Sequence, residues 1–463
     1  MSPARKELED KDAKDDGVKD DGAKDNGTKR GGRAVELRIS VVDSIAQVNA
    51  ADWDACANPQ TGPQPGRESA SPHPESEPES VSGQPDQDSA SGTGYNPFVS
   101  HDFLSALEES KSVGGRTGWH VQHVLAKTSD GTLVAAAPAY LKSHSRGEYV
   151  FDAGWAEAYM RAGGSYYPKL QISVPFTPAT GPRLLVREGM PTAATRRALA
   201  QGLMQVCGVA GASGAHVTFA TEAEYRLLGE LGYLQRTDQQ FHFENKNFAS
   251  FDDFLAALSS RKRKTIRRER QDALQNGISV HWLTGSDLTE DIWDAFFDFY
   301  METGSRKWGR PYLTRDFFER IGASLASRIL LVMAKSGGRY VAGAINFIGD
   351  DALYGRNWGA IEDRPFLHFE VCYYQAIDFA LERGLKRVEA GAQGEHKLAR
   401  GYRPVVTYSA HEFADARLAK AVADYLRHER AAVARTIAHY EDRAPFRKGE
   451  TANDETAGES FDL

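Results

Sequence analysis

The chain has 463 residues, with 56 Lys and Arg against 64 Asp and Glu, a net charge of -8 and 3 Cys. This length allows two domains with a real core, and the negative charge argues against a general polyanion binder. No apolar run approaches the roughly 18 residues of a membrane span, and the widely spaced cysteines predict neither a disulfide framework nor a structural zinc site. We therefore expect a reduced, cytoplasmic, enzyme-like protein without integral membrane contact.

Three stretches lack the apolar periodicity of a packed core. Residues 1–34 repeat a K-D-D-G unit, residues 58–94 are rich in Pro, Ser, Gln, Glu and Gly, and residues 446–463 form a polar tail. Segments of this composition bury too little surface to offset the entropy of ordering. We predict disordered tails at both ends and a disordered insertion at 58–94.

An internal repeat organises the rest of the chain. Two pairs of segments match in the same order: PFVSHDFLSAL at 97–107 with PYLTRDFFERI at 311–321, and VLAKTSDGTLVAAA at 124–137 with VMAKSGGRYVAGA at 332–344. Several matches in one order indicate duplication. Each half fits β-α-α-β-β-β-α-β-α-β, so we predict an α/β protein with mixed sheets in two halves, residues 35–245 and 246–445.

The first half carries an extra connection over residues 148–186, rich in Tyr, Trp, Gly and Pro. Aromatic residues in a long connection are typical of a pocket wall, and they make Tyr167 and Lys169 candidates for substrate binding. The alternative, that this segment only covers the sheet of the first half, is equally consistent with the composition.

A basic segment, residues 259–276, joins the halves. It is helical by composition, ends at Gly277 and contains seven Arg and Lys. One interpretation is an anion site in which Arg263, Lys264 and Arg267 hold the phosphates of a carrier or an RNA. The other is a solvated helix. Aromatic residues do not alternate with the basic ones, so the residues themselves do not favour RNA.

The densest run of reactive side chains lies at 364–411. The pattern predicts a strand at 352–359, a helix from Pro365 that Gly384 ends, a strand at 386–390, a polar loop or short helix at 391–401 and a strand at 405–413. The reactive residues of this run come from the helix start, the loop and the last strand: His368, Glu370, Glu395, His396, Lys397, Arg400 and His411.

Four segments carry a resemblance to a known family: NPFVSHDFLSALEES, GEYVFDAGWAEAYMRAGGSYYPKLQ, VPFTPATGPRLL and LHFEVCYYQAIDFALERGLKRVEAGAQGEHKLARGY. They resemble the bacterial FemAB-like predicted N-acyltransferases, over residues 95–445. The order of elements in each half is similar to that of the GNAT acyltransferases. The resemblance implies tandem GNAT-like halves of the Fem type, and a function in peptidoglycan biosynthesis or recognition.

The chain departs from the GNAT pattern where acetyl-CoA enzymes carry a Q/R-x-x-G-x-G/A loop. Here the sequence is GAIEDRPFLHF, without those glycines but with Arg364 beside the helix start. A helix N-terminus still offers unpaired N–H groups to a phosphate. The departure favours an activated donor other than free CoA, such as an aminoacyl-tRNA or an acyl carrier protein, with acyl-CoA kept as a further candidate, and we expect no tightly bound cofactor.

Acyl transfer to an amine needs a base, a donor for the oxyanion and a proton for the leaving group. His368 in the first helical turn is expected to be neutral and to act as the base, with His396 as the second candidate. Glu370 and Glu395 are predicted to orient a histidine or bind the amine. Lys397, Arg400 and His411 are predicted to bind substrate groups in the same cleft, and no metal is expected.

Two functions are therefore carried forward. The first is an N-acyltransferase of cell-envelope metabolism that uses an activated acyl donor and an amine acceptor, with a tRNA or a carrier protein as partner. The second is a non-catalytic protein that recognises peptidoglycan or a glycan through the same cleft. A recognition protein has no need for His368, Glu395 and His396 to face one accessible point. The oligomeric state does not follow from the sequence.

Overall fold

The computed structural model describes residues 36–59, 94–308, 311–392 and 394–447. The predicted tail 1–34 and most of the tracts 58–94 and 446–463 lie outside these residues. Among the described helices, none combines the length and the apolar character needed to cross a bilayer. From Leu37 onward, the described chain packs as one compact unit.

The described strands follow one another in this order: β1 (Leu37–Val42), β2 (Trp119–Val121), β3 (His123–Thr128), β4 (Leu133–Ala137), β5 (Ala139–Lys142), β6 (Lys169–Ile172), β7 (Leu185–Val186), β8 (Gly214–Ala220), β9 (Leu234–Glu244), β10 (Ile278–Leu283), β11 (Ile329–Ser336), β12 (Arg339–Ile348), β13 (Ala352–Ala360), β14 (Arg387–Glu389) and β15 (Arg403–Phe413).

The described helices are α1 (Ala50–Ala57), α2 (His101–Glu109), α3 (Ala153–Arg161), α4 (Thr192–Val209), α5 (Glu222–Glu230), α6 (Phe251–Ala257), α7 (Ser260–Ala273), α8 (Glu290–Trp308), α9 (Arg315–Ser324), α10 (Leu367–Phe369), α11 (Gln375–Glu382) and α12 (Ala416–Asp442). The repeated segments give matching helix starts. Ser100 caps α2 by accepting from the N–H of Phe103, and Thr314 caps α9 by accepting from the N–H of Phe317. Such caps satisfy an otherwise unpaired backbone donor.

The strands form a four-stranded sheet, β1-β3-β4-β7, and an eleven-stranded sheet, β10-β11-β12-β13-β14-β9-β15-β8-β6-β5-β2. Within the larger sheet the last strands of the two halves are exchanged. Strand β9 lies between β14 and β15, and β15 pairs with both β9 and β8. One continuous sheet therefore contains strands from both halves of the sequence.

Strands β13 and β14 diverge after a short parallel pairing. They pair only from Ala352 to Tyr354 and from Arg387 to Glu389, after which the chain follows β9, where the Ala390 N–H donates to the Phe241 carbonyl at 3.1 Å. Strand β13 also carries a bulge against β12 between Gly355 and Trp358. We call the opening between residues 355–360 of β13 and residues 390–397 the splay.

Two apolar layers cover the faces of this part of the sheet. Along β11, Leu331 and Met333 point into a core that includes residues of α2, α8 and α9, whereas Leu330 and Val332 point into a core that includes residues of α6, α7 and α11. Alternation along a strand sends neighbouring side chains to opposite faces. We refer to these as the α9 face and the α11 face.

The predicted mixed α/β class is confirmed, as is the order strand, helix, strand, loop, strand over 352–413. Gly384 ends the helix with a φ of 65°, as expected of a residue without a Cβ. The start of the helix was predicted wrongly. It begins at Leu367 instead of Pro365, after Phe366 in a left-handed conformation, and a π-helical turn at Glu370–Tyr374 separates α10 from α11.

Candidate active site

One edge of β13 at the splay lacks a neighbouring strand. From Gly355 to Gly359, the edge of β13 that faces away from β12 has no strand partner among the described residues. Backbone N–H groups on such an edge can hold a negatively charged oxygen. The bulge redirects the side chains of Arg356 and Asn357, and bulges of this kind are frequent next to active sites.

On the α11 face, rings gather around His368. Its imidazole centroid lies 5.2 Å from the Trp358 ring, 5.3 Å from the Tyr373 ring and 6.2 Å from the His396 ring. Trp358 lies on β13, His368 and Tyr373 on the helical segment that follows, and His396 in the loop after β14. The structure thus brings the two histidines that the sequence singled out to the same side of the splay.

His396 is held in place from two sides. Its Nε2 lies 2.9 Å from the Tyr373 hydroxyl, and its carbonyl accepts a hydrogen bond from Arg400 Nη1 at 2.7 Å. Burial, together with the charges of Lys397 and Arg400, lowers the pKa of His396 and so favours a neutral imidazole. Burial raises the pKa of Tyr373 and keeps its phenol protonated. This pair can pass a proton.

On the α9 face, Glu389 places a carboxylate at the point where the strands part. It is the register partner of Tyr354 and only 4% exposed. One carboxylate oxygen accepts from Arg387 Nε at 3.1 Å. The other has no hydrogen-bond partner among the described residues and lies 3.8 Å from His242 Nε2. Burial lowers the pKa of His242, so its imidazole is neutral. A carboxylate with a free oxygen can accept a proton from an amine.

Arg356 lies on the same face, two residues beyond Tyr354. Its guanidinium donates to the Phe176 carbonyl and lies 6.0 Å from the Phe98 ring. Burial lowers the pKa of Arg356. Beside it is a small cavity of about 10 Å³, lined by Arg356, Asn357, Thr177 and aromatic side chains. That volume is about the space of one water molecule.

Two predicted site residues in the loop have structural partners instead. Lys397 is buried, and its Nζ donates to the carbonyls of Ala390 and Gly391, so it holds the loop after β14 and does not face a phosphate. Burial lowers the pKa of Lys397 to about 8. Glu395 is exposed and accepts from the Tyr440 hydroxyl of α12 at 3.4 Å. Glu395 therefore points away from His368 and His396.

Arg400 and Glu370 are both engaged with α7. Arg400 Nη2 lies 2.8 Å from Glu269 Oε1, so its charge is already balanced. Glu370 is 0% exposed and pairs with Arg270 at 2.9 Å, which corrects its assignment to the catalytic group, because both of its carboxylate oxygens are already held by Arg270 and Gln375. Glu370 thus holds α7 against the segment that carries Tyr373.

Helix α7 has an inner and an outer face. Its inner side chains, Ile266, Glu269, Arg270 and Ala273, follow the spacing of one helical face and contact the rest of the protein. The predicted anion-binding residues lie elsewhere on the helix: Lys264 is exposed, Arg263 is half-buried, and Arg267 is exposed and pairs with Asp252 at 2.8 Å. Arg364, at the splay, forms two hydrogen bonds with Glu362.

His411 does not lie at the splay. It lies eight residues beyond Arg403 on β15, about 27 Å along the strand, with its Nδ1 2.9 Å from His216 Nδ1. Its assignment to the cleft of His368 and His396 is therefore corrected. Burial lowers the pKa of His216 to about 3 and that of His411 well below its usual value, so both imidazoles are neutral.

Residues of the aromatic connection, 148–186, form a buried ion-pair network beside His216 and His411. Lys169 is fully buried, lies 2.6 Å from Glu148 Oε2 and also contacts Asp152. The structure therefore corrects the prediction that Lys169 binds a substrate. Tyr167 is half-buried, and its hydroxyl lies 2.8 Å from Ser145 Oγ.

Sequence reasoning missed three residues of the splay: Tyr373, Arg356 and Glu389. Tyr373 lies within the helix predicted from Pro365, and its hydroxyl was not considered. Arg356 is the single charge in the strand segment LYGRNWG, and Glu389 follows Arg387 in RVEA. A charge inside a buried strand is the signal that could have identified them, because charges are rarely buried without a specific partner.

The exchanged strands and the splay belong to a mixed α/β fold, the class predicted from the sequence. The chain belongs to the FemAB-like family, described as peptidoglycan biosynthesis/recognition, whose family model matches residues 44–448. Among curated proteins, none matches the chain significantly.

Several solved structures are similar at low sequence identity. FemX is 13% identical with a TM-score of 0.45, covering 69% of this chain and 94% of its own. A tandem GNAT protein from the clavulanic acid biosynthesis pathway is 11% identical with a TM-score of 0.41, covering 82% and 99%. L-PGS from Bacillus licheniformis is 12% identical with a TM-score of 0.44, covering 72% and 96%. Identities this low say nothing about the substrate.

Proposed function

We propose that the protein is an N-acyltransferase that transfers an acyl or aminoacyl group from an activated carrier to an amine in cytoplasmic peptidoglycan metabolism. The observation that carries this proposal is the placement of two proton-transfer groups on opposite faces of one opening. The Tyr373–His396 pair lies on the α11 face and Glu389 on the α9 face, and between them is the stretch of β13, residues 355–359, that lacks a strand partner among the described residues.

Each group has a role in the reaction. The nitrogen of the neutral acceptor amine attacks the acyl carbon, and Glu389 takes the proton that this nitrogen loses as the C–N bond forms. Backbone N–H groups of β13 hold the oxyanion that forms as the C–N bond is made. When the bond to the carrier breaks, Tyr373 gives its proton to the leaving oxygen or sulfur, and His396 assists its reprotonation. The reaction consumes no proton overall, because one leaves the amine and one joins the carrier.

The donor is proposed to approach from the α11 face. The outer side of α7, with Arg263, Lys264 and Arg267, lies on the helix whose inner face binds Arg400 and Glu370. Phosphates of an acyl-CoA, a carrier-protein prosthetic group or an aminoacyl-tRNA would find this positive surface beside the splay. The acceptor then enters from the α9 face, where Glu389 lies.

The experiment is a transfer assay on the full chain. The protein is incubated with aminoacyl-tRNA, acyl-CoA or an acylated carrier protein and with peptidoglycan precursors, and acylated products are identified by mass spectrometry. We expect a mass gain of one acyl group on an amine of the acceptor, and far slower formation of this product with Tyr373→Phe. Precursor binding that is tight while no donor gives a product would favour the alternative, a recognition protein.

A further inference from the structure

The guanidinium of Arg356 has more donors than partners. Arginine carries five N–H donors in a planar fork. Within the described part of the chain, the acceptor that Arg356 finds is the Phe176 carbonyl, and no carboxylate lies within ion-pair distance. The negative charge of Glu389 favours the charged form of Arg356, but the Glu389 carboxylate is hydrogen-bonded to Arg387. The positive charge of Arg356 is therefore not balanced by a direct partner.

Aromatic residues lie near this guanidinium, which is only half-buried. Tyr312 stacks on Phe176, with ring centroids 4.7 Å apart and planes 10° apart. Tyr149 and Tyr312 form an exposed rim, at 36% and 38%. Tyr149 and Phe176 both adopt left-handed backbone conformations, with φ of 59° and 57°. Such conformations are unfavourable for aromatic residues and are found where the surrounding structure imposes them, often at ligand sites.

An arginine in this environment is suited to bind an oxyanion. Apolar walls exclude water and strengthen a charge-assisted hydrogen bond, and a guanidinium can bind a carboxylate or a phosphate with two parallel bonds. The cavity beside Arg356 has only about the space of one water molecule, so a carboxylate or phosphate would meet the guanidinium outside it, on the half-exposed side of Arg356 near Tyr149 and Tyr312.

We propose that Arg356 binds a carboxylate or phosphate group of the acyl acceptor and so holds the acceptor amine against Glu389. Glu389 pairs in register with Tyr354, two residues before Arg356 on the same face. The inference that this anion belongs to the acceptor rests on the proposed function. The binding of an oxyanion at Arg356 does not depend on it and can be measured without any reaction.

The test uses three probes of matched shape with the full chain: 3-phenylpropanoate, phenyl phosphate and the neutral 3-phenylpropanamide, each titrated by calorimetry. We expect one of the two anions to bind more tightly than the amide. Arg356→Gln should weaken binding of that anion by about tenfold to one-hundredfold, the usual range for a hydrogen bond to a charged group, and leave the amide unchanged. Arg356→Lys should restore part of the difference.

The neutral amide probe shows whether Arg356 binds the anion or only supports the local structure. If Arg356 serves only to hold the Phe176 carbonyl, the Gln variant weakens all three probes equally, and the proposal is overturned. It is also overturned if neither anion binds more tightly than the amide, or if the variant binds both anions as the native protein does. Arg328→Gln, which removes an arginine paired with Asp350, is the matched control and should change none of the three affinities. Anion binding without acyl transfer would refute the proposed function alone.

Discussion

Tyr373 and His396 show how the site depends on single atoms. They are 23 residues apart in sequence, yet the Tyr373 hydroxyl and His396 Nε2 lie 2.9 Å apart. Arg400 fixes the backbone of His396, and Glu269 fixes Arg400. Arg400 is thus a positioning residue, and its positive charge is balanced by Glu269. The residue that contacts the leaving group in the proposed reaction is Tyr373.

Replacing Tyr373 with Phe removes the proton donor and keeps the ring. We expect the turnover number to fall by roughly 10²–10⁴, the usual contribution of general acid catalysis, with donor affinity nearly unchanged. Steady-state kinetics measure both quantities. Tyr425→Phe, at an exposed position on α12, is the control. A turnover number that stays within twofold of the native value would remove Tyr373 from the mechanism.

The buried histidine pair predicts a pH dependence of stability. Burial lowers the pKa of His216 to about 3 and that of His411 further from its usual value, whereas both titrate near 6.5 when unfolded. Between pH 6.5 and about 3, the unfolded chain therefore binds more protons than the folded one, and stability falls as the pH falls. Each histidine contributes up to about 1.4 kcal/mol per pH unit.

This dependence can be measured by urea unfolding at several pH values from 7 to 4. Replacing His411 with Gln removes one of the two titrating groups, so the free energy of unfolding should fall less steeply with decreasing pH than in the native protein. The two proteins are compared by the slope of the free energy of unfolding against pH, since carboxylates contribute equally to both. Equal slopes would show that His411 is protonated in the folded state.

At the scale of elements, α7 is attached to the core by ion pairs. Arg270 binds Glu370, which is fully buried, and also Asp378 at 2.6 Å. Arg267 on the outer face pairs with an exposed Asp252. A buried charge that loses its partner is destabilising, whereas an exposed pair contributes little. The inner and outer faces of one helix should therefore respond differently to the same substitution.

We expect Arg270→Met to lower the free energy of unfolding by about 3–5 kcal/mol, because it leaves Glu370 buried without its cation. Arg267→Met on the same helix should change it by less than about 1 kcal/mol. Chemical denaturation measures both. If the two variants are equally stable, α7 is not attached through Arg270.

The elements around the site were largely predictable, but the side chains that face each other were not. The order of strands and helices over 352–413 follows from periodicity and from Gly384, and His368 and His396 were identified because reactive residues cluster there. The positions of Glu370, Lys169 and His411 depend on partners more than 20 residues away in sequence, such as Arg270, Glu148 and His216. No local pattern specifies such pairings.

At the scale of the whole molecule, the exchanged strands join the halves. Strand β9 pairs with β14 and β15, and β15 pairs with β8, so each half supplies a strand to the other. The sequence repeat predicted two halves, but strand exchange leaves no trace in periodicity, because the pairing residues are 143 to 199 positions apart in sequence. The boundary at 245 remains a prediction, and it would separate strands that share a sheet.

We expect the isolated segment 36–245 not to fold cooperatively. Without β15, strands β8 and β9 lose the partner between them, and unpaired edges favour aggregation. Circular dichroism and urea unfolding of this segment and of the full chain test this. A single cooperative transition for the segment, with native-like stability, would show that strand exchange is not needed for folding of the first half.

The central claim is that acyl transfer takes place across the splay, and Glu389 tests it most directly. The measurement is the single-turnover rate of acyl transfer to an amine, followed by mass spectrometry, for the native protein, Glu389→Gln and Glu382→Gln, an exposed control on α11. The account predicts that Glu389→Gln lowers this rate by roughly 10²–10⁴ while donor binding and the control stay unchanged. A native rate in Glu389→Gln would contradict it.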